Sequence, residues 1–521
     1  MLVFGIDIPV WLTLVFIACG LLYWYGTSTF DTFDKMGLPY PKPLPFIGNT
    51  AQMMSMPIHD YEVCVLKKLS SKVHGSFQGR LPVIDVADAE FAKQVCIKEF
   101  SSFTNRRDPL QRDDDMGASL LLIKDDHWKH VRSTLTPTFT SGKLKQMHGV
   151  ITDCADRFME YIHKTSSAPF GIKAYCEAYT MDVIARTAFG MEIDVQGSTN
   201  HPFVQHARTF FGIPNTRSKF MQQLIVLSVV FLPKRIKLFL GLFVDMSFVE
   251  RESSEYFKDV IDKILLETQS KASERKDFIS TCAEKIVDTG KAEKETLRQT
   301  DGRTWSTQGL TRSDVIANSF TFFSAGYETT ASTMQFFFYS MATHPSVQQR
   351  LYEEISEVVT ESGEASYEQL KGLEYLDWCI NETLRVFPAI VRVDRVASRD
   401  VTINGLDIPK GMIVNILIHA IHHDPEYWPE PDKYDPERFS PHNLTETQKY
   451  AFLGFGSGNR SCIASRLALL ELRIAIVKLL TAFRFEVAPD TPKQDNLQYE
   501  NALGIMQPKV PIQLRAIPRA I

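Results

Sequence analysis

The stretch Phe455-Gly456-Ser457-Gly458-Asn459-Arg460-Ser461-Cys462-Ile463-Ala464 decides how this 521-residue chain is read. One cysteine closes a glycine-rich turn and precedes a long apolar run, Leu467 to Phe483, whose periodicity predicts a helix. Glycines open backbone conformations closed to other residues and let amide groups approach a sulfur. The N-terminus of the following helix favours an anion, so Cys462 is placed to be a thiolate. A thiolate standing as the one protein ligand in an apolar surround suits haem iron better than zinc or an iron–sulfur cluster, which need several ligands. The competing reading is a buried, inert cysteine, the usual fate of an isolated one.

Three other stretches carry chemistry. Ala325-Gly326-Tyr327-Glu328-Thr329-Thr330 lies inside a predicted helix from Asp314 to Thr343. A carboxylate and two hydroxyls beside a glycine are poor helix formers, and Ser or Thr side chains can bond the i−4 carbonyl and loosen the turn. A loosened turn can hold a water beside a metal; the bland alternative is two threonines bonded back to their own helix. In Glu382-Thr383-Leu384-Arg385 the acid and base share a helix face at i, i+3, flanked by Trp378, Ile380, Val386 and Phe387, which suits a partly buried pair. Trp128 and Arg132 sit at i, i+4, and both donate hydrogen bonds, which fits a carboxylate-bearing ligand as well as an ordinary amphipathic helix. His419, His422 and His423 resemble a metal cluster, but no carboxylate motif accompanies them.

Composition narrows the class. The chain is 44% hydrophobic and 23% charged with a net charge of −5, so it is globular with a full core and lacks the basic field that nucleic acid requires. Eight cysteines, none as Cys-x-x-Cys, are too sparse for a disulfide scaffold. Ile8 to Phe30 is a 23-residue run without charge, long enough to cross ~30 Å of hydrocarbon. Trp11 and Trp24-Tyr25 suit interfacial anchoring. With no basic residue before Lys35 it lacks the signature of a cleaved signal peptide. The expected organisation is a membrane anchor over residues 1–30, a proline-rich connector over 31–49 and one catalytic body over 50–521. Most of that body reads helical, with few strands: Leu81 to Val86, Val401 to Ile403, Ile413 to Ile416 and Phe483 to Val487. Leu224 to Leu232 reads as an apolar surface patch or buried helix, and Lys271 to Thr311 as an exposed, polar excursion.

The four stretches, in this order and spacing, make the chain resemble the cytochrome P-450 superfamily. Phe455, Gly458, Arg460 and Cys462 match its Phe-x-x-Gly-x-Arg-x-Cys-x-Gly pattern, with Ala464 where the family usually has glycine. The stretches Ser324 to Thr330, Phe139 to Lys145 and Ile408-Pro409-Lys410-Gly411 look like the third-family clan of animal microsomal enzymes, which includes drug and steroid oxidases. The resemblance implies a mainly α fold with small β-sheets, following an N-terminal transmembrane helix. It implies haem b with Cys462 as axial ligand and Phe455 in the same loop. Trp128, Arg132 and Arg460, with Arg395 and Arg106, would meet the propionates. Ala325 and Gly326 would leave room above the haem, and Glu328 and Thr329 would manage protons. Glu382, Arg385 and Arg438 would form a structural triad, and His422 to Trp428 a structural turn.

The activity implied is a haem-thiolate monooxygenase that inserts one atom of O2 into a hydrophobic small molecule: steroid, fatty acid, terpenoid or xenobiotic. No flavin or nicotinamide region is visible, so electrons would come from NADPH through a separate NADPH–cytochrome P-450 reductase, with cytochrome b5 as a further partner. The setting implied is the endoplasmic reticulum membrane with the body in the cytosol. The substrate pocket is expected to include Phe322, Phe323, Ala325, Thr329, Ile390 and Val391, with others from 106–122, 205–245 and 503–507. Two rivals remain: a peroxide-rearranging isomerase, against which the intact Glu328-Thr329 pair argues, and a non-enzymatic haem- or lipid-binding membrane protein.

Overall fold

The computed structural model describes residues 2–3, 6–7, 10–107, 115–165, 167–192, 196, 202–203, 205–206, 251–270, 278–287, 296–298, 304–359, 364–500 and 504–519. The helices that position the site are α1 (Val10–Thr27), α2 (Ile58–Leu69), α3 (Asp125–Leu135), α4 (Ser141–His163), α5 (Ile172–Phe189), α6 (Arg251–Ser270), α7 (Arg312–Thr343), α8 (Glu374–Val386) and α9 (Ser465–Ala482). Helix α7 runs through the middle of the body. Thr311 and Asp314 form a reciprocal capping box at its start, and His344-Pro345 stops it. It is apolar around most of its circumference because helices cover it on several sides: α5 and α6 on one side, α8 and α9 on another.

The principal sheet has four strands. β1 (Val73–Gln78) and β2 (Leu81–Val86) form an antiparallel hairpin, β2 runs parallel to β4 (Ile413–Ile416), and β4 pairs antiparallel with β3 (Val393–Val396). A bridge from Asn105 to Val396 lays the following arginine, Arg106, beside Arg395 on β3. A second sheet joins β5 (Phe483–Val487), β6 (Gln513–Pro518) and the short Phe170–Gly171 strand. The fold is thus mainly α with small sheets, as expected.

α1 is the one described helix long and apolar enough to cross a membrane, and nearly all its side chains face outward. The connector after it is not a free spacer. Phe33 is wholly buried between Phe77 and Tyr40, and a side chain on Gly75 would strike its ring at 2.3 Å. The end of α1 is tied down as well: Gly26 accepts from the Phe46 amide at 3.1 Å, and the Arg80 guanidinium lies 3.7 Å over the Tyr25 ring. The expected polar excursion at 271–311 is corrected in part, because Phe278, Ile279, Cys282 and Trp305 within it are buried against α7 and its neighbours. Leu224 to Leu232 lies outside the described residues, as does nearly all of 205–245.

Candidate active site

The cysteine loop is shaped by glycine at two positions of positive φ. Gly458 has φ +67°, and a Cβ there would stand 2.0 Å from the carbonyl oxygen of Cys96, so the Gln94–Lys98 turn can pack on the loop only because no side chain intervenes. Gly456 has φ +72°, and the turn closes when the Cys462 amide donates to the Phe455 carbonyl at 2.9 Å. Cys462 is accessible though the loop around it is walled by protein. Burial pushes its thiol up, while the Ala464 amide, Arg132 and Arg106 pull it down less strongly. Ala464 has φ −99°, open to any residue, so its methyl is accommodated without backbone strain.

Four arginines converge beside this loop. Arg460 donates to the carbonyls of Thr104 at 2.9 Å, Leu120 at 3.0 Å and Ile123 at 3.1 Å, and its guanidinium stacks 4.0 Å from the Trp128 ring. Burial first, then repulsion from Arg106, Arg395 and Arg132, lowers it to about 8. Burial first, then repulsion from Arg395, lowers Arg106 to about 10, with Asp394 acting against the fall. Among the described residues no carboxylate is paired with Arg460, and three donors in the group are buried without a partner: Trp128 Nε1, Arg106 Nε and Arg395 Nε. A cluster of buried, mutually repelling cations with orphaned donors suits an anion.

The middle of α7 shows one accessible face. Ala325 is exposed although it lies mid-helix in the body, and Phe322, Gly326 and Thr329 beside it are partly accessible. The helix is continuous through 325–330, so no turn is opened there. The Thr329 hydroxyl donates to the Ala325 carbonyl at 2.5 Å, the bond-back arrangement the sequence left open. Gly326 makes room for α5 and not for a ligand, since a Cβ would meet Ile184 at 2.9 Å. Glu328 is buried and turned toward α5: its Oε1 accepts from Lys173 Nζ and Gln507 Nε2, both at 2.8 Å, while Oε2 is buried without a partner. Neither partner was legible from the local motif, which lies 155 and 179 residues away.

Two expected pocket residues are corrected. Phe323 is fully buried, ringed by Phe189, Phe203 and Phe257 with centroids 4.8–6.0 Å away, so it fills the core beneath α7. Val391 is 1% exposed and belongs to the core that also holds Met506. Ile390, by contrast, is 37% exposed, and Phe322 is partly accessible against Phe139 and Phe278.

A family model described as Cytochrome P450 matches residues 38–516. The chain belongs to the cytochrome P450 family. It is 36% identical over 524 residues to cytochrome P450 3A11 of Mus musculus, covering 99% of this chain and 98% of the mouse protein. It is 37% identical to cytochrome P450 3A1 of Rattus norvegicus, over 96% of this chain and 95% of the rat protein. The lithocholate 6-beta-hydroxylase of Mesocricetus auratus is 35% identical, over 99% and 98% of the two chains. The protein is therefore a cytochrome P450 monooxygenase, an oxidoreductase whose family binds haem iron through a thiolate, uses redox partners and acts on hydrophobic substrates.

The residues of this P450 fit that group. The orphaned donors of Trp128, Arg106 and Arg395 suit two carboxylate tails, and an accessible cysteine stands at the same place. Beneath the loop, Arg385 grips Glu382 through two bonds of 2.7 and 2.9 Å, both fully buried, and Arg438 Nε stands 3.5 Å from Glu382 Oε1. His422 links this pair to the cysteine loop, a role sequence reasoning missed. Arg385 Nη1 donates to the His422 carbonyl at 2.8 Å, and the Leu453 amide donates to His422 Nε2 at 2.8 Å. Nε2 is thus an acceptor, so the imidazole is neutral with its proton on Nδ1, directed at the Arg385 carbonyl 3.1 Å away. Burial holds its pKa well below the usual range, in agreement. Among the described residues no group of three metal-ligating side chains forms.

Proposed function

We propose that Cys462 is the axial ligand of haem b in this monooxygenase, and that the arginine cluster with Trp128 receives the propionates. The observation that carries this reading is the set of buried cations beside an accessible cysteine, with the donors Trp128 Nε1, Arg106 Nε and Arg395 Nε left without a partner. Bound there, haem supplies the redox chemistry that splits O2 and inserts one atom into the substrate. The protein's part is to hold and to exclude. The Glu382–Arg385–His422 linkage holds the loop that carries Cys462. Ala325, Phe322 and Ile390 offer apolar surface to a substrate, and Thr329 offers the hydroxyl nearest that surface on α7.

Glu328 is the acid of the proton route. Its Oε1 is tied to Lys173, whose side chain is 20% exposed, so the carboxylate is reached from solvent on the α5 side and from Thr329 on the other. Electrons come from NADPH through a separate reductase, with cytochrome b5 as a second donor. The hamster relative named for lithocholate and the P450 3A relatives support steroids and drug-like xenobiotics as the substrate class. α1 anchors the enzyme in the endoplasmic reticulum membrane with the body on the cytosolic side. Screening steroids and xenobiotics for a spin-state shift and NADPH-dependent product in reconstituted vesicles tests the reading. Product formed with a separate reductase supports it; haem-loaded protein that yields no oxygenated product from any apolar class contradicts it.

A further inference from the structure

We propose that the turn from Gly504 to Pro508 couples occupancy of the substrate pocket to proton delivery, with Gln507 as the positioning residue that holds Glu328. The inference rests on the reading of Glu328 as the proton-route acid. Gly504 enters the turn at φ +99°, and the chain is then tied on both sides. On the pocket side the Val391 amide donates to the Gly504 carbonyl at 3.1 Å, Ile390 and Ile505 form an antiparallel bridge, and the Met506 amide donates to the Ala389 carbonyl at 3.4 Å. On the α7 side Ser332 Oγ donates to the Met506 carbonyl at 3.1 Å, and Gln507 Nε2 donates to Glu328 Oε1 at 2.8 Å. Glu328 and Ser332 are one helical turn apart, so the turn lies along a single stripe of α7.

The clamp is lopsided. Oε1 has two donors, from Lys173 and Gln507, and Oε2 has none although it is buried. Both donors hold the carboxylate in place, and the Thr329 hydroxyl is itself committed to the Ala325 carbonyl. To serve Thr329 the acid has to release part of this grip. Lys173 sits on α5, and among the described residues its side chain meets Glu177 at 3.6 Å and Glu328 at 2.8 Å. Gln507 is linked to the pocket wall: it is two residues from Ile505, whose partner Ile390 is the exposed apolar residue of that wall. A molecule pressing on Ile390 shifts the turn through its backbone bonds and draws the amide off Glu328. A proton from solvent on the Lys173 side then protonates the Glu328 carboxylate and passes on toward Thr329, so that one O–H bond breaks as another forms and no electron moves.

The test is hydrogen–deuterium exchange on the haem-loaded full chain in nanodiscs, comparing the parent with Gln507→Leu and Ser332→Ala. The pocket probe is 4-phenylimidazole, which needs only an open iron and an apolar cavity. In the parent the probe is expected to change exchange in two segments together, 504–508 and 328–333. In Gln507→Leu the response of 328–333 is lost while that of 504–508 stays; Ser332→Ala keeps both. The coupling is overturned if 328–333 does not respond in the parent, if Gln507→Leu retains the response, or if Ser332→Ala abolishes it equally, which would mean packing alone transmits the change. Glu328→Gln separates the two claims. If it leaves the peroxide released per NADPH unchanged, the acid reading fails and this proposal with it. If it raises peroxide while Gln507→Leu behaves as the parent, only the coupling fails.

Discussion

Glu62 on α2 shows how a single buried acid sets a pH limit. It is 3% exposed, and burial pushes its carboxyl up to about 8 despite Arg392 Nη1 at 3.3 Å. In the unfolded chain the same group ionises near its ordinary value, so between that value and about 8 the folded state binds more protons than the unfolded one. Stability therefore falls as pH rises across that window and is highest at its acid end. Glu62→Gln keeps the shape without the ionisation. It is expected to melt a few degrees above the parent at pH 8, with the gap closing by pH 5; a gap independent of pH contradicts the burial argument. Thr329 makes a chemical prediction at the same scale. Among the described residues its hydroxyl bonds within its own helix, so Thr329→Ala is expected to fold normally and to release more peroxide and less product per NADPH consumed. Equal coupling in the two proteins would remove Thr329 from the proton route.

At the scale of elements, the loop that carries Cys462 is held from below and from the side. Glu382→Ala leaves the Arg385 guanidinium buried without its carboxylate, which costs about 3–5 kcal/mol for a buried pair broken on one side. Since Arg385 also fastens His422, and His422 the Leu453 amide, the loss is expected to appear as haem-poor protein, read from the haem-to-protein ratio. Gly458→Ala acts from the side, by driving a methyl into the Cys96 carbonyl, and is expected to lower the same ratio; full haem loading in both variants contradicts the scaffold described here. Elements also mark what sequence can and cannot carry. The bounds of β2, β4 and β5 follow from local alternation, and the end of α7 at Thr343 from its apolar period, whereas its start at Arg312 is fixed by the Thr311–Asp314 capping box, which the period alone does not show. Phe323 was misplaced because an apolar residue next to a pocket and one in the core look alike at helical spacing; only the ring of aromatics around it decides. The hold of Lys173 and Gln507 on Glu328, and of His422 on Leu453, joins residues far apart in the chain, and no local pattern encodes such pairs.

The whole molecule joins an apolar helix to a catalytic body through a fixed joint. Gly26 under Phe46, Arg80 on Tyr25 and Thr29 bonded to the Arg80 carbonyl at 2.7 Å leave little freedom between them. Full-length protein is expected to resist extraction from membranes by alkaline carbonate, whereas protein lacking residues 2–27 is released by the same wash; release of both would deny α1 its anchoring role. The proposed centre of the body is an iron held by Cys462 beside a nest of arginines. The measurement that tests it most directly is the carbon monoxide difference spectrum of the dithionite-reduced protein, taken for the parent and for Cys462→Ser. The account predicts a peak at the wavelength that names the family in the parent and its loss in the variant. A parent peak in the region of imidazole-ligated haem, or a thiolate-type peak that survives in Cys462→Ser, would contradict it.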